Sequence, residues 1–60
     1  MYKITDFKFG DRFVTKQGDE LMYTGHIGNM LFFDMKDGDC LYLSLYYFNE
    51  DIKNQDIKPL

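Results

Sequence analysis

The sequence predicts a mostly β protein: one domain over residues 1–60, five short antiparallel strands, and a short helical turn near the C-terminus. Three observations carry this reading. The β-favouring run Met30-Leu31-Phe32-Phe33-Asp34-Met35 lies between Gly28-Asn29 and Asp37-Gly38, two pairs that accept positive φ and so favour tight hairpins. A strand between two hairpins is the middle of an antiparallel meander. The other apolar runs are short, and Gly-Asp pairs separate them. Aromatic residues make up 18% of the chain, and large rings are what so short a domain needs to bury enough area.

Taken in order, Met1 to Phe9 alternates well enough for a first strand. Tyr2 and Ile4 share one parity and Phe7 and Phe9 the other, so a kink is expected at Thr5-Asp6. Gly10-Asp11 punctuates the chain, and Arg12-Phe13-Val14-Thr15 is short and β-favouring. Gln17-Gly18-Asp19-Glu20 is a loop, and Leu21 to Ile27 is the next strand, interrupted by Gly25. After the central strand and the Lys36-Asp37-Gly38-Asp39 turn comes Cys40 to Leu45. Ser44 is also a good N-cap, so Leu45-Tyr46-Tyr47-Phe48-Asn49 reads as a helical turn, 3₁₀ or one α turn. Asp56-Ile57-Lys58 supplies a last short strand, with Pro59 ending it or leaving it at an edge.

Two-residue loops at both hairpins set a register. Gly28-Asn29 pairs Ile27 with Met30, His26 with Leu31, Gly25 with Phe32, and Thr24 with Phe33. Asp37-Gly38 pairs Met35 with Cys40, Phe33 with Tyr42, and Phe32 with Leu43. One face then gathers Tyr23, Gly25, Ile27, Met30, Phe32, Leu41, Leu43 and Leu45, with Asp34 as its only charge, and is the expected core. The other holds Met22, Thr24, His26, Leu31, Phe33, Met35, Cys40, Tyr42 and Ser44, an apolar surface for a monomer. The alternative is a three-residue Lys36-Asp37-Gly38 loop with Gly38 in a left-handed bulge. That slip would bring Leu41 and Leu43 to the side of Leu31 and Phe33. The first register is preferred because it gathers the aliphatics on one side.

The net charge is −3, unevenly spread. Residues 1–16 carry four cations and two carboxylates; residues 17–51 carry seven carboxylates and only Lys36 against them. A duplex-binding protein shows a net basic footprint, and this chain lacks one. Cys40 is the one cysteine, so no disulfide framework exists and a reducing, cytoplasmic setting is expected. No apolar run approaches the roughly 20 residues of a membrane span, and Met1 to Gly10 lacks a signal-peptide core.

Catalytic and metal chemistry find little support. His26 and Cys40 are the only candidate base and nucleophile, and the preferred register holds them roughly 16 Å apart, against the ~3 Å of a hydrogen-bonded dyad. Asp34, Asp37 and Asp39 surround a turn, but Met35 and Phe33 occupy alternate positions where a calcium loop needs oxygen ligands. One Cys and one His cannot close a zinc site. The glycines never cluster ahead of a helix as a phosphate cradle. The expectation is a non-enzymatic protein with no cofactor and no metal.

The entry Phe9-Gly10-Asp11-Arg12-Phe13, followed by short strands and a terminal turn, resembles small SH3-like β-barrels. The resemblance implies five bent strands closing as a barrel, with a helical turn before the last. The nucleic-acid-binding relatives usually carry basic loops, whereas loops 17–20 and 36–39 here are acidic. In size and in its richness in Tyr, Phe, Lys and Asp, the chain is also similar to small accessory proteins of bacteriophages.

The function expected is a protein-binding module, such as a phage-type inhibitor or adaptor of a host protein. Its docking face would hold Met22, His26, Leu31, Phe33, Met35 and Tyr42, and its acidic loops would favour a basic partner. One alternative is a single-stranded nucleic-acid binder using Lys3, Lys8, Arg12 and Lys16 with Phe7 or Phe13. Another is a self-assembling structural component, a homo-oligomer. No membrane partner is expected.

Overall fold

The computed structural model describes residues 1–60. Five antiparallel strands form a single sheet: β1 (Arg12–Thr15), β2 (Glu20–Ile27), β3 (Met30–Met35), β4 (Cys40–Ser44) and β5 (Ile57–Pro59). Their order across the sheet is β4-β3-β2-β1-β5. One helix, α1 (Leu45–Lys53), connects β4 to β5. The mostly β class and the helix near the C-terminus agree with the sequence. The barrel closure that the resemblance implied is absent, because β4 and β5 are the two edges of an open sheet.

Two local devices decide which side chains face inward. The first is the loop after β3. Met35 N–H donates to Asp39 O (2.8 Å) and Gly38 N–H donates to Met35 O (3.1 Å), closing a three-residue Lys36-Asp37-Gly38 loop with Gly38 at φ 92. A side chain there is strained, and glycine is not. The preferred two-residue loop is therefore wrong, and the one-residue slip holds: Phe33 pairs with Leu41, Phe32 with Tyr42, Leu31 with Leu43. The second device is a bulge at Thr24. The Gly28-Asn29 loop pairs Gly25 with Phe32 as expected, but Tyr23 then pairs with Phe33, so Thr24 is an extra residue in β2. Its hydroxyl donates to Phe32 O (3.3 Å), occupying a carbonyl beside the irregularity.

Together these move Leu31 and Phe33 to the inner face with Leu21, Tyr23, Leu41 and Leu43. Gly25, Ile27, Met30 and Phe32 lie on the outer face, the reverse of the expected assignment. Leu21, Leu31 and Phe33 are fully buried.

The inner face is covered by α1 and the N-terminal arm. Ser44 Oγ accepts from Tyr47 N–H (3.2 Å), so the predicted cap starts a helix of nine residues, longer than one turn. The helix ends in a left-handed residue, Gln55 (φ 63), with Asp56 N–H donating back to Asp51 O (2.8 Å). α1 inserts Phe48, which is fully buried; its ring stacks on Phe33 (centroids 5.8 Å) and meets Phe13 and Phe7 edge-on (5.2 and 5.1 Å). The arm is not a strand. Ile4–Asp6 forms a 3₁₀ turn, held by Asp6 Oδ2 accepting from Lys3 N–H (2.8 Å). Asn49 of α1 clamps the arm at two points, accepting from Tyr2 N–H (2.8 Å) and donating to Tyr2 O (3.0 Å). Phe7 of the arm is buried against Tyr23, with centroids 4.9 Å apart.

The two faces make opposite demands on neighbouring phenylalanines. Phe33→Ala removes a buried ring and should cost ~3–5 kcal/mol, which is most of what a domain this small possesses. Phe32→Ala on the outer face should cost about 1 kcal/mol or less. Urea denaturation of both variants checks this; equal losses, or a greater loss for Phe32→Ala, would contradict the observed register.

Candidate functional site

The outer face of the sheet is a broad surface that no other element of the fold covers. Its apolar half lies where β2, β3 and β4 run side by side. Phe32 and Tyr42 pair across β3 and β4, ring edge to ring face, with centroids 5.1 Å apart. Gly25 sits opposite Phe32 on β2 and offers bare backbone. At the hairpin end Ile27 pairs with Met30, and both are exposed (74% and 42%). Tyr42 is 64% exposed, whereas Phe32 is half-buried against its neighbours.

The other half is charged. Cys40, Asp34, Met22 and Arg12 follow one another across the sheet. The Cys40 thiol points at Asp34 Oδ1 (3.8 Å). Glu20 takes an ion pair from Lys36 and a looser one from Arg12 (3.9 Å). Arg12, Glu20, Met22, Asp34, Met35 and Lys36 enclose a shallow recess of about 160 Å³. The hydrogen bond from Lys36 holds the Glu20 carboxyl below its ordinary range. Desolvation works against that shift, and the charges of Lys36 and Arg12 reinforce it. The cluster brings together side chains of β1, β2 and the loop after β3, and Arg12 and Lys36 balance the charges of Glu20 and Asp34.

The expected docking set does not assemble. Of Met22, His26, Leu31, Phe33, Met35 and Tyr42, only Met22 and Tyr42 lie on the outer face. Leu31 and Phe33 are sealed in the core and cannot touch a partner. Met35 is half-buried at the margin of the core. His26 is exposed near the hairpin tip, where its Nδ1–H donates to Gly28 O (3.1 Å). Sequence reasoning missed Ile27, Met30 and Phe32, because it assigned them to the interior.

The alternative cationic set is also scattered. Lys3 and Lys8 belong to the arm, on the helix side, whereas Arg12 is on the outer face. Arg12 and Lys16 are engaged by Glu20 (3.9 Å) and Asp56 (3.3 Å). Phe7 and Phe13, the rings meant to stack on bases, are buried. His26 and Cys40 stand on opposite faces of the sheet, since His26 pairs with Leu31 and Cys40 with Asp34. Asp37 Oδ1 accepts from Asp39 N–H (3.1 Å), which is turn chemistry. No three of the His, Cys, Asp and Glu side chains come together as a metal-holding group. No helix is long and apolar enough to cross a membrane.

No family model matches the chain, and neither a curated protein nor a solved structure matches it.

Because its pKa is lowered, Glu20 contributes stability that is present above the ordinary carboxylate pKa and is lost as pH falls through the lowered value. Lys36→Met removes the main cause. NMR titration of the Glu20 carboxyl should show its midpoint rising in that variant; an unchanged midpoint would mean that the Lys36 contact does not form.

Proposed function

We propose that this chain is a non-enzymatic binding module that acts by protein–protein contact through the outer face of its sheet. The observation that carries the reading is the uncovered group of Ile27, Met30, Phe32 and Tyr42. Aromatic rings and methionine, bordered on one side by charge, are the composition of a protein interface core. A standard interface takes about 800 Å² from each partner, roughly a fifth of this molecule's 4275 Å² surface. On so small a chain that is one whole face. The apolar patch gives way to Asp34 on the face itself, with Asp37 and Asp39 on the adjoining loop, so a basic rim on the partner fits best. An inhibitor or adaptor of the type that bacteriophages use against host proteins is the narrower form of this proposal. It rests on size and composition. The exposed, unpaired Cys40 suits a reducing compartment such as the cytoplasm.

Affinity capture from the source cells tests the reading. The chain should retain a protein that Ile27→Asp with Phe32→Ala releases at least about tenfold, a loss of ~1.4 kcal/mol or more, while the double variant still melts cooperatively. Equal retention by the folded variant would remove this face from the function.

A further inference from the structure

The two edges of the sheet are not equivalent. In an antiparallel ladder, alternate residues turn N–H and C=O toward the neighbouring strand and the others turn them away. Met35 N–H donates to Asp39 O and Leu45 N–H donates to Asn29 O, so residues 39, 41, 43 and 45 face β3. Cys40, Tyr42 and Ser44 therefore turn their N–H groups outward. No turn, loop or cap hydrogen bond reaches the backbone of Cys40 or Tyr42. At the other edge, Lys16 N–H donates to Asp56 O and Leu60 N–H donates to Arg12 O, so Ile57 and Pro59 point away from β1. Pro59 has no N–H to offer, and Lys58 adds a charge; both discourage edge pairing. The β4 edge, Cys40-Leu41-Tyr42-Leu43-Ser44, carries no proline, glycine, lysine or other charge.

We propose that β4 pairs with β4 of a second copy, antiparallel, about a two-fold axis at Tyr42. In this register Tyr42 meets Tyr42 of the second copy and Cys40 meets Ser44. Tyr42 exchanges two hydrogen bonds across the axis, and each Ser44 N–H faces Cys40 O, while the Ser44 carbonyl stays with the first turn of α1 that it caps. Outward N–H groups meet outward C=O groups. Asp39 falls opposite Leu45, so no two carboxylates oppose one another. Pairing joins two five-stranded sheets into one and sets the two Phe32–Tyr42 groups side by side. This assembly does not depend on the outer face binding another protein.

Sedimentation velocity on the purified chain, from about 10 to about 500 µM, should show a monomer–dimer equilibrium. Tyr42→Lys, which places a charge on the axis, should weaken it at least tenfold. A synthetic chain methylated on the Tyr42 backbone nitrogen should do the same while keeping the side chain. Ser44→Cys fixes the register. Cys40 and the new thiol of the second copy lie opposite one another, within the roughly 4.4–6.8 Å Cα separation that a disulfide spans. Within one chain the same two positions are ~13 Å apart. Oxidation should thus give a covalent dimer for Ser44→Cys far faster than the natural chain, whose two Cys40 thiols lie ~13 Å or more apart in this register, forms one by collision. A monomer at all concentrations, an unaltered dimer in the Tyr42 variants, or no cross-link in Ser44→Cys would overturn the proposal.

Discussion

Phe48 beneath Phe33 is the contact on which the remaining architecture depends. A chain of 60 residues has few ways to bury area, and here one ring from the helix enters a cluster of rings from β1, β3 and the arm. The Ser44 cap starts the helix at the point that carries Phe48 back over the sheet. Asn49, the next residue, ties down the arm that brings Tyr2 and Phe7 into the same cluster. Cap, ring and clamp follow one another within six residues, so the local code for the helix is also the code for closing the core.

Covering one side of the sheet leaves the other to solvent. The outer face keeps more apolar surface than stability requires, since Ile27, Met30 and Tyr42 gain little from their exposed positions. Its Glu20 carboxylate is paired with Lys36 and Arg12, whereas Asp34 meets only the neutral Cys40 thiol. The resulting surface is neither a closed catalytic cleft nor a basic track. It is a flat, mixed patch beside an unblocked strand edge, the two features on which the proposed contacts rest.

Much of this was legible in the chain. The two hairpins, the Ser44 cap, the Gly25–Phe32 pairing and the last short strand each rest on local chemistry: glycine at positive φ, a hydroxyl ahead of a helix, β-branched and aromatic runs. The faces were not legible, because each depends on a single residue of register. One signal was present. Lys16-Gln17-Gly18-Asp19 and Lys36-Asp37-Gly38-Asp39 share a pattern, and both loops close in the same way, with Gly18 and Gly38 at φ 91 and 92. Reading the two turns together favours the three-residue loop for both. The Thr24 bulge left no comparable mark, since threonine is an ordinary strand residue.

From the amino-acid order alone come the β class, the strands from Arg12 onward and the place of the helix. These follow from dihedral preferences and residue chemistry that act over a few positions. Tertiary structure alone decided that Phe33 is interior and Phe32 is not, that the N-terminal arm is a clasp and not a strand, and that β4 is an open edge. The first outcome turns on two one-residue choices of register, at the loop after β3 and at Thr24, and the others on pairing and packing between segments far apart in the chain.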